Sequence, residues 1–225
     1  FKPGSLYKGP VVNFRKDGDA TTLGAWWWTL KGIVEPIDGV SVDMVLDMLI
    51  ANKVTEIYLD VSAMMPWDEE EAQGGLTDDD ITSLRAQDKV EDAEGEYVID
   101  AFASSDSLDA VVKVLSLTGR GINEVLLRGG RMPERADECV VEENMLSLMN
   151  IEIGDRITLT PGDDLSDALA QDTYTVVGTV RSPVYLAVER GTSTLGSGTV
   201  KAYLYLPREA FTLDYYTAAY VRVSG

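Results

Sequence analysis

Apolar positions in the first sixty residues recur with two different periods. Gly24-Ala25-Trp26-Trp27-Trp28 reads as strand, an alternation that sets Trp26 and Trp28 on one face and Trp27 on the other. After Ser41, the residues Val42, Val45, Leu46, Leu49 and Ile50 fall at i, i+3, i+4, i+7 and i+8. That spacing predicts a helix capped by Ser41 and ended at Asn52-Lys53. Thr55, Ile57, Leu59 and Val61 then alternate, which predicts a strand over 54–61 and completes a β-α-β unit. The charged run Trp67-Asp68-Glu69-Glu70-Glu71, closed by Gly74-Gly75, reads as a solvated linker. Thr77-Asp78-Asp79-Asp80 opens a second helix, with its carboxylates at the positive end and Ile81 and Leu84 facing inward.

Further along, strands are predicted over 97–102 and 110–117, the second rich in valine. From 118 onward short strands and turns dominate. A turn at Gly129-Gly130-Arg131-Met132-Pro133 leads to a strand at 139–141 and a short helix ending near Met149. Strands follow over 156–160 and 174–180. Over 200–206, Val200, Ala202, Leu204 and Leu206 alternate with Lys201, Tyr203 and Tyr205, and a last strand runs over 216–223. Helices early and an almost all-β second half predict an α+β fold. Tyr203, Tyr205, Tyr215, Tyr216 and Tyr220 are expected to be half-buried sheet residues, any of which could also anchor an interface.

Composition narrows the chemistry. Of 225 residues, 45% are hydrophobic and 25% charged, which is an ordinary globular balance. The net charge of −19 argues against a nucleic-acid partner and against docking on anionic lipid heads. There is no histidine, so the usual neutral-pH base, the Ser–His and Cys–His pairs and the commonest metal ligand are all absent. The lone Cys139 excludes an internal disulfide and reads as a buried structural thiol. No apolar run reaches the length of a membrane span. The chain starts at Phe1 rather than Met and reads as a piece of a longer one.

Several motifs, in order, carry a resemblance. Gly75-Leu76-Thr77-Asp78-Asp79-Asp80-Ile81 is followed by Ala93-Glu94-Gly95-Glu96-Tyr97 and Asp100, then by Gly130-Arg131-Met132-Pro133-Glu134 and Glu138-Cys139-Val140-Val141. Ile153-Gly154-Asp155-Arg156-Ile157-Thr158-Leu159, Tyr174-Thr175-Val176-Val177-Gly178-Thr179-Val180-Arg181-Ser182-Pro183 and Glu189-Arg190-Gly191-Thr192-Ser193-Thr194-Leu195-Gly196-Ser197-Gly198 come next. Tyr205-Leu206-Pro207 and Asp214-Tyr215-Tyr216-Thr217 close the series. Residues 74–225 thus resemble the large extracytoplasmic domain of FtsX-like/MacB-type ABC transporter permeases, in the form common in Gram-positive bacteria.

The resemblance implies a MacB periplasmic-core-like fold: a mixed α/β membrane-proximal lobe built from both chain ends, and an inserted, mostly β lobe. On that basis 74–117 starts the first lobe, 118–204 is the insertion and 205–225 returns. It further implies a domain on the extracytoplasmic face of the plasma membrane, within an integral membrane protein, that passes ATP-driven motion to the outside. The implied partners are a cytoplasmic ABC ATPase, reached through the rest of the permease, and an external protein, peptide or lipid-linked substrate. A permease dimer is also compatible. It implies no catalytic residue, cofactor or metal. Residues 1–73 depart from the family pattern as a Trp-rich β-α-β segment and acidic linker, with a faint resemblance to the opening unit of a (β/α)8-barrel glycosidase-like protein.

Candidate contact residues follow from loop chemistry. Glu189, Arg190, Thr192, Ser193 and Thr194 lie in a Gly-rich segment that reads as a mobile partner-contact loop, since recognition tends to sit on loops held by a scaffold. It lacks the lysine and helix start of a phosphate loop. Trp26 and Trp28 either pack in the core or form an indole platform. The platform would make the chain a freestanding secreted module that recognises carbohydrate. The carboxylate runs 68–71 and 78–80 lack the alternation of a calcium loop.

Overall fold

The computed structural model describes residues 12–17, 20–27, 47, 50–51, 54–60, 75–105, 108–162, 165–185 and 190–223, with backbone alone for the strand residues before 61. The fold is α+β and divides into two compact units, Phe1–Glu96 with Tyr215–Gly225, and Tyr97–Asp214. Among the described residues no helix is long and apolar enough to cross a membrane.

The first unit holds a five-stranded sheet. Its strands are β1 (Val12–Asp17), β2 (Ala20–Trp27), β3 (Val54–Asp60), β4 (Val90–Glu96) and β12 (Ala218–Val223), in the order β1-β2-β3-β12-β4. β2 and β3 are parallel, as a β-α-β unit requires, and helical backbone is described between them at 47, 50 and 51. The rest of the expected helix lies outside the described residues. β3 pairs antiparallel with β12, so the Trp-rich segment is built into the same sheet as the C-terminal strand. β4 went unread in the sequence because Glu91, Asp92, Glu94 and Glu96 mask its strand character, yet Glu94 and Glu96 are both buried.

Helix α1 (Asp78–Arg85) begins as its sequence predicts. The Thr77 hydroxyl accepts from the Asp80 amide while the Asp80 carboxylate accepts from the Thr77 amide, and Ile81 faces the core. Leu76 and Tyr216 exchange two backbone hydrogen bonds of 2.8 and 2.7 Å, and the Tyr216 hydroxyl donates to Asp78 at 2.8 Å. Tyr216 lies flat on Gly95, where a Cβ would stand 2.3 Å from its ring. The motifs around Gly75, Gly95 and Tyr216, distant in sequence, are therefore one structural knot.

The second unit is a closed sheet. β5 (Val98–Ser104), β6 (Asp109–Ser116), β7 (Leu126–Gly130), β8 (Glu138–Glu142), β9 (Arg156–Pro161), β10 (Thr173–Arg181) and β11 (Ala202–Leu206) run in the order β7-β10-β8-β11-β6-β5-β9. β9 also pairs with β10, which closes β10-β8-β11-β6-β5-β9 into a barrel and leaves β7 as a flap on β10. β5 and β6, read in sequence with the first lobe, are staves of this barrel. Helix α2 (Glu143–Met149) follows β8 and contributes Met145 and Met149 to a core shared with Ile99, Val112, Val114, Cys139, Val141, Leu159, Tyr174 and Leu204. β11 is buried on both faces, so its alternation does not mark a solvent side; Tyr203 and Tyr205 are buried, and Tyr220 of β12 likewise.

Candidate functional site

β8 carries Cys139 and Val141 into the barrel core, which leaves Glu138, Val140 and Glu142 on its other face. That face is also buried, and each of its glutamates grips an arginine from a different loop. Arg131 makes a two-pronged pair with Glu138 at 2.7 and 2.7 Å, and the Glu134 amide donates to the same carboxylate at 2.9 Å. These bonds, Arg131 first, hold the Glu138 carboxyl down to about 2. The Gly-Arg-Met-Pro-Glu motif is thereby explained as a turn. Gly130 has a φ of +70°, and a Cβ there would meet the Val177 carbonyl at 2.3 Å.

The second pair stands at the base of the candidate loop. Arg190 and Glu142 are only 10% and 7% exposed. The guanidinium Nε donates to Glu142 Oε2 at 3.1 Å and Nη2 pairs with Oε1. Hydrogen bonding to Glu142 raises the Arg190 pKa further. The same guanidinium lies 5.5 Å from the centre of the Tyr203 ring, and Tyr185 stacks on that ring at 5.1 Å. Tyr203 accepts from the Ser182 amide at 3.0 Å, and the Ser182 hydroxyl is 2.6 Å from the Tyr205 hydroxyl. Burial pushes the Tyr203 hydroxyl up.

From this anchor the segment read as a mobile loop rises as a hydrogen-bonded hairpin. Thr192 and Thr199 pair across it, the Ser193 amide donates to the Gly198 carbonyl at 3.1 Å, and the Gly198 amide donates to the Leu195 carbonyl at 2.9 Å. Gly196, at φ +52°, sits where a Cβ would come within 3.1 Å of Phe102 and 3.2 Å of Val111, so the tip rests on β5 and β6.

The candidate residues separate by role. Thr192 and Thr194 are exposed, Ser193 accepts from the Leu195 amide through its hydroxyl, and Arg190 is consumed by the anchor. Trp26 is opposite Tyr58 in the β2–β3 register, remote in sequence from the hairpin. Glu189 and Trp28 lie outside the described residues, as does the acidic linker 68–71. Sequence reading missed Glu142, Ser182 and the Tyr203–Tyr185 stack. No sequence signal marked them, because the burial of Glu142 depends on neighbours far along the chain. Among the described residues no three His, Cys, Asp or Glu side chains gather to hold a metal.

No family model and no curated protein matches the chain. Solved structures similar to it include the following two. One is the extracellular domain of the noncanonic ABC-type transporter YknZ from Gram-positive bacteria. That likeness has 15% identity and a TM-score of 0.47, over 76% of this chain and 83% of that one. The other is the periplasmic region of MacB from Actinobacillus actinomycetemcomitans, with 12% identity and a TM-score of 0.46, over 76% and 74% of the two chains.

Proposed function

We propose that this chain is an extracytoplasmic domain of an ABC transporter permease. In this reading it passes motion driven by a cytoplasmic ATPase to an external protein, peptide or lipid-linked substrate, and is itself no catalyst. The observation that carries the reading is how the motif residues of 75–97 and 214–217 are used. They bind an early part of the chain to a late part, with β12 held between β3 and β4 by antiparallel hydrogen bonds. A load entering at either end of such a chain is shared by one sheet, which is what a domain moved from a membrane needs. The stretch 97–214 between those ends is a compact unit of its own. The hairpin of Thr192 and Thr194 is its surface for the external partner, firmly based on the Arg190–Glu142 pair. Lack of histidine supports a non-enzyme, and so does the locked state of Glu138.

The test is fractionation of the native protein, followed by hairpin replacement in it. An integral membrane species that co-purifies with an ATPase is the expected result. A freestanding soluble species would overturn the reading. Replacing 192–199 by a short Gly-Ser turn is then expected to abolish export or partner activation while membrane level stays unchanged. Undiminished activity would remove the hairpin from the account.

A further inference from the structure

A second surface of the same unit centres on the flap strand β7. Among the described residues β7 pairs only with β10, and it carries the most exposed large apolar side chain, Leu126, at 59%. Leu126 is directly opposite Arg181 in the β7–β10 register, so the two share a face. Arg181 Nη2 lies 3.5 Å and Arg128 Nε 3.7 Å from one and the same oxygen of Glu143, the first residue of α2. Arg181 is 63% exposed and Arg128 42%. Nearby Arg131 and Arg135 have two carboxylates between them, Glu138 and Asp137, whereas among the described residues Arg128 and Arg181 pair with the single carboxylate of Glu143, one positive charge in excess. In a chain of net charge −19, two exposed arginines on one shared carboxylate beside an exposed leucine are not what solubility alone produces.

We infer that Leu126, Arg128 and Arg181 form a docking surface for a partner-protein segment that places carboxylates beside an apolar side chain. A partner carboxylate can take the fork geometry that the loose contacts to Glu143 leave unused. Leu126 supplies apolar area at the centre of the contact. Recognition runs through side chains rather than by strand addition. β7 is short and ends in Gly129-Gly130, and its register shifts opposite Thr179 and Val180, features that guard a sheet edge. A small acidic segment fits better than an anionic membrane plane, because the whole chain's negative charge repels an extended sheet of like charge far more than one or two carboxylates. The inference does not depend on the transporter reading, since it is tested on the isolated chain.

The experiment is fluorescence anisotropy of a fluorescein-labelled peptide of alternating Glu and Leu, titrated with the 225-residue chain at about 0.15 M salt. A Gln-Leu peptide and a Glu-Ser peptide serve as controls. The expected result is saturable binding of the Glu-Leu peptide alone, weakened about tenfold in the Arg128→Ala/Arg181→Ala variant and weakened also by added salt. Amide chemical shifts should move at Leu126, Leu127 and Arg181. Both substitutions are at the surface, so an unchanged circular dichroism spectrum checks folding. Four results each overturn the inference: no saturable binding, binding indifferent to the double substitution, capture by phosphatidylglycerol vesicles in place of the peptide, or self-association of the chain at this face without peptide binding.

Discussion

Removing one partner of the Arg190–Glu142 pair measures how firmly the candidate hairpin is based. Glu142→Ala leaves a guanidinium that is 10% exposed, with neither prong of its carboxylate contact. Stranding one charge of a buried pair costs about 3–5 kcal/mol. The residual exposure of Arg190 puts the expected loss at the lower end, about 3 kcal/mol. At about 3 °C per kcal/mol for a chain of this size, the midpoint of thermal unfolding should fall by about 9 °C. Removing both charges is the sharper arm. Glu142→Met with Arg190→Met replaces the pair by apolar volume and strands nothing, so it should sit within about 1 kcal/mol of the parent. The assay is urea unfolding of the parent, Glu142→Met, Arg190→Met and the double variant as a cycle, with Glu142→Ala beside them, followed by hydrogen exchange at Ser193 and Gly198. A single-variant loss below about 1 kcal/mol, or a coupling near zero, would refute the reasoning and make the pair a surface contact in disguise.

Other consequences follow from the same face of β8 and its surroundings. Glu138 is held at about 2, below the ordinary carboxylate value, so its contribution is complete above the unfolded pKa near 4.5 and is lost as pH falls toward 2. Glu138→Gln should flatten that limb of the stability–pH curve in urea midpoints, and an unchanged limb would show that another carboxylate sets it. Gly178→Ala would place a Cβ 2.4 Å from the Arg131 carbonyl and 2.7 Å from that of Gly129, both backbone atoms. It should cost about 1–3 kcal/mol by forcing β7 off β10, and a parental melting temperature would show that the flap yields freely. Cys139 is fully buried and burial pushes its thiol up, so Ellman's reagent should leave the native chain unlabelled and react once it unfolds. Rapid native labelling would mean the barrel opens at β8.

Much of the architecture was legible. Thr77 with Asp80 announced a capped helix start, the valines of β6 a buried strand, and the alternation over 54–61 the strand β3. Where reading failed, burial contradicted residue type. β4 is acidic and half buried, and β11 alternates without presenting a wet side, because the barrel core takes Ala202, Leu204 and Leu206 while Ser182, Tyr185 and Arg190 gather at Tyr203 and Tyr205. The segment 189–198 read as a mobile partner-contact loop, whereas its described part is a hydrogen-bonded hairpin, and Arg190 read as one of its contact residues. Only its partner 48 positions away makes it an anchor.

Local pattern, then, determined what depends on near neighbours: caps, strand and helix periods, turn glycines, and the absence of histidine chemistry. Tertiary structure alone decided what depends on pairs far apart in the chain. It set Tyr216 on Gly95, closed β9 onto β10, and matched Glu138 and Glu142 to arginines from separate loops. A charge on a sequence has no sign of being buried or open. Its energy is fixed by what shares its dielectric surroundings, and those surroundings exist only once the chain has folded.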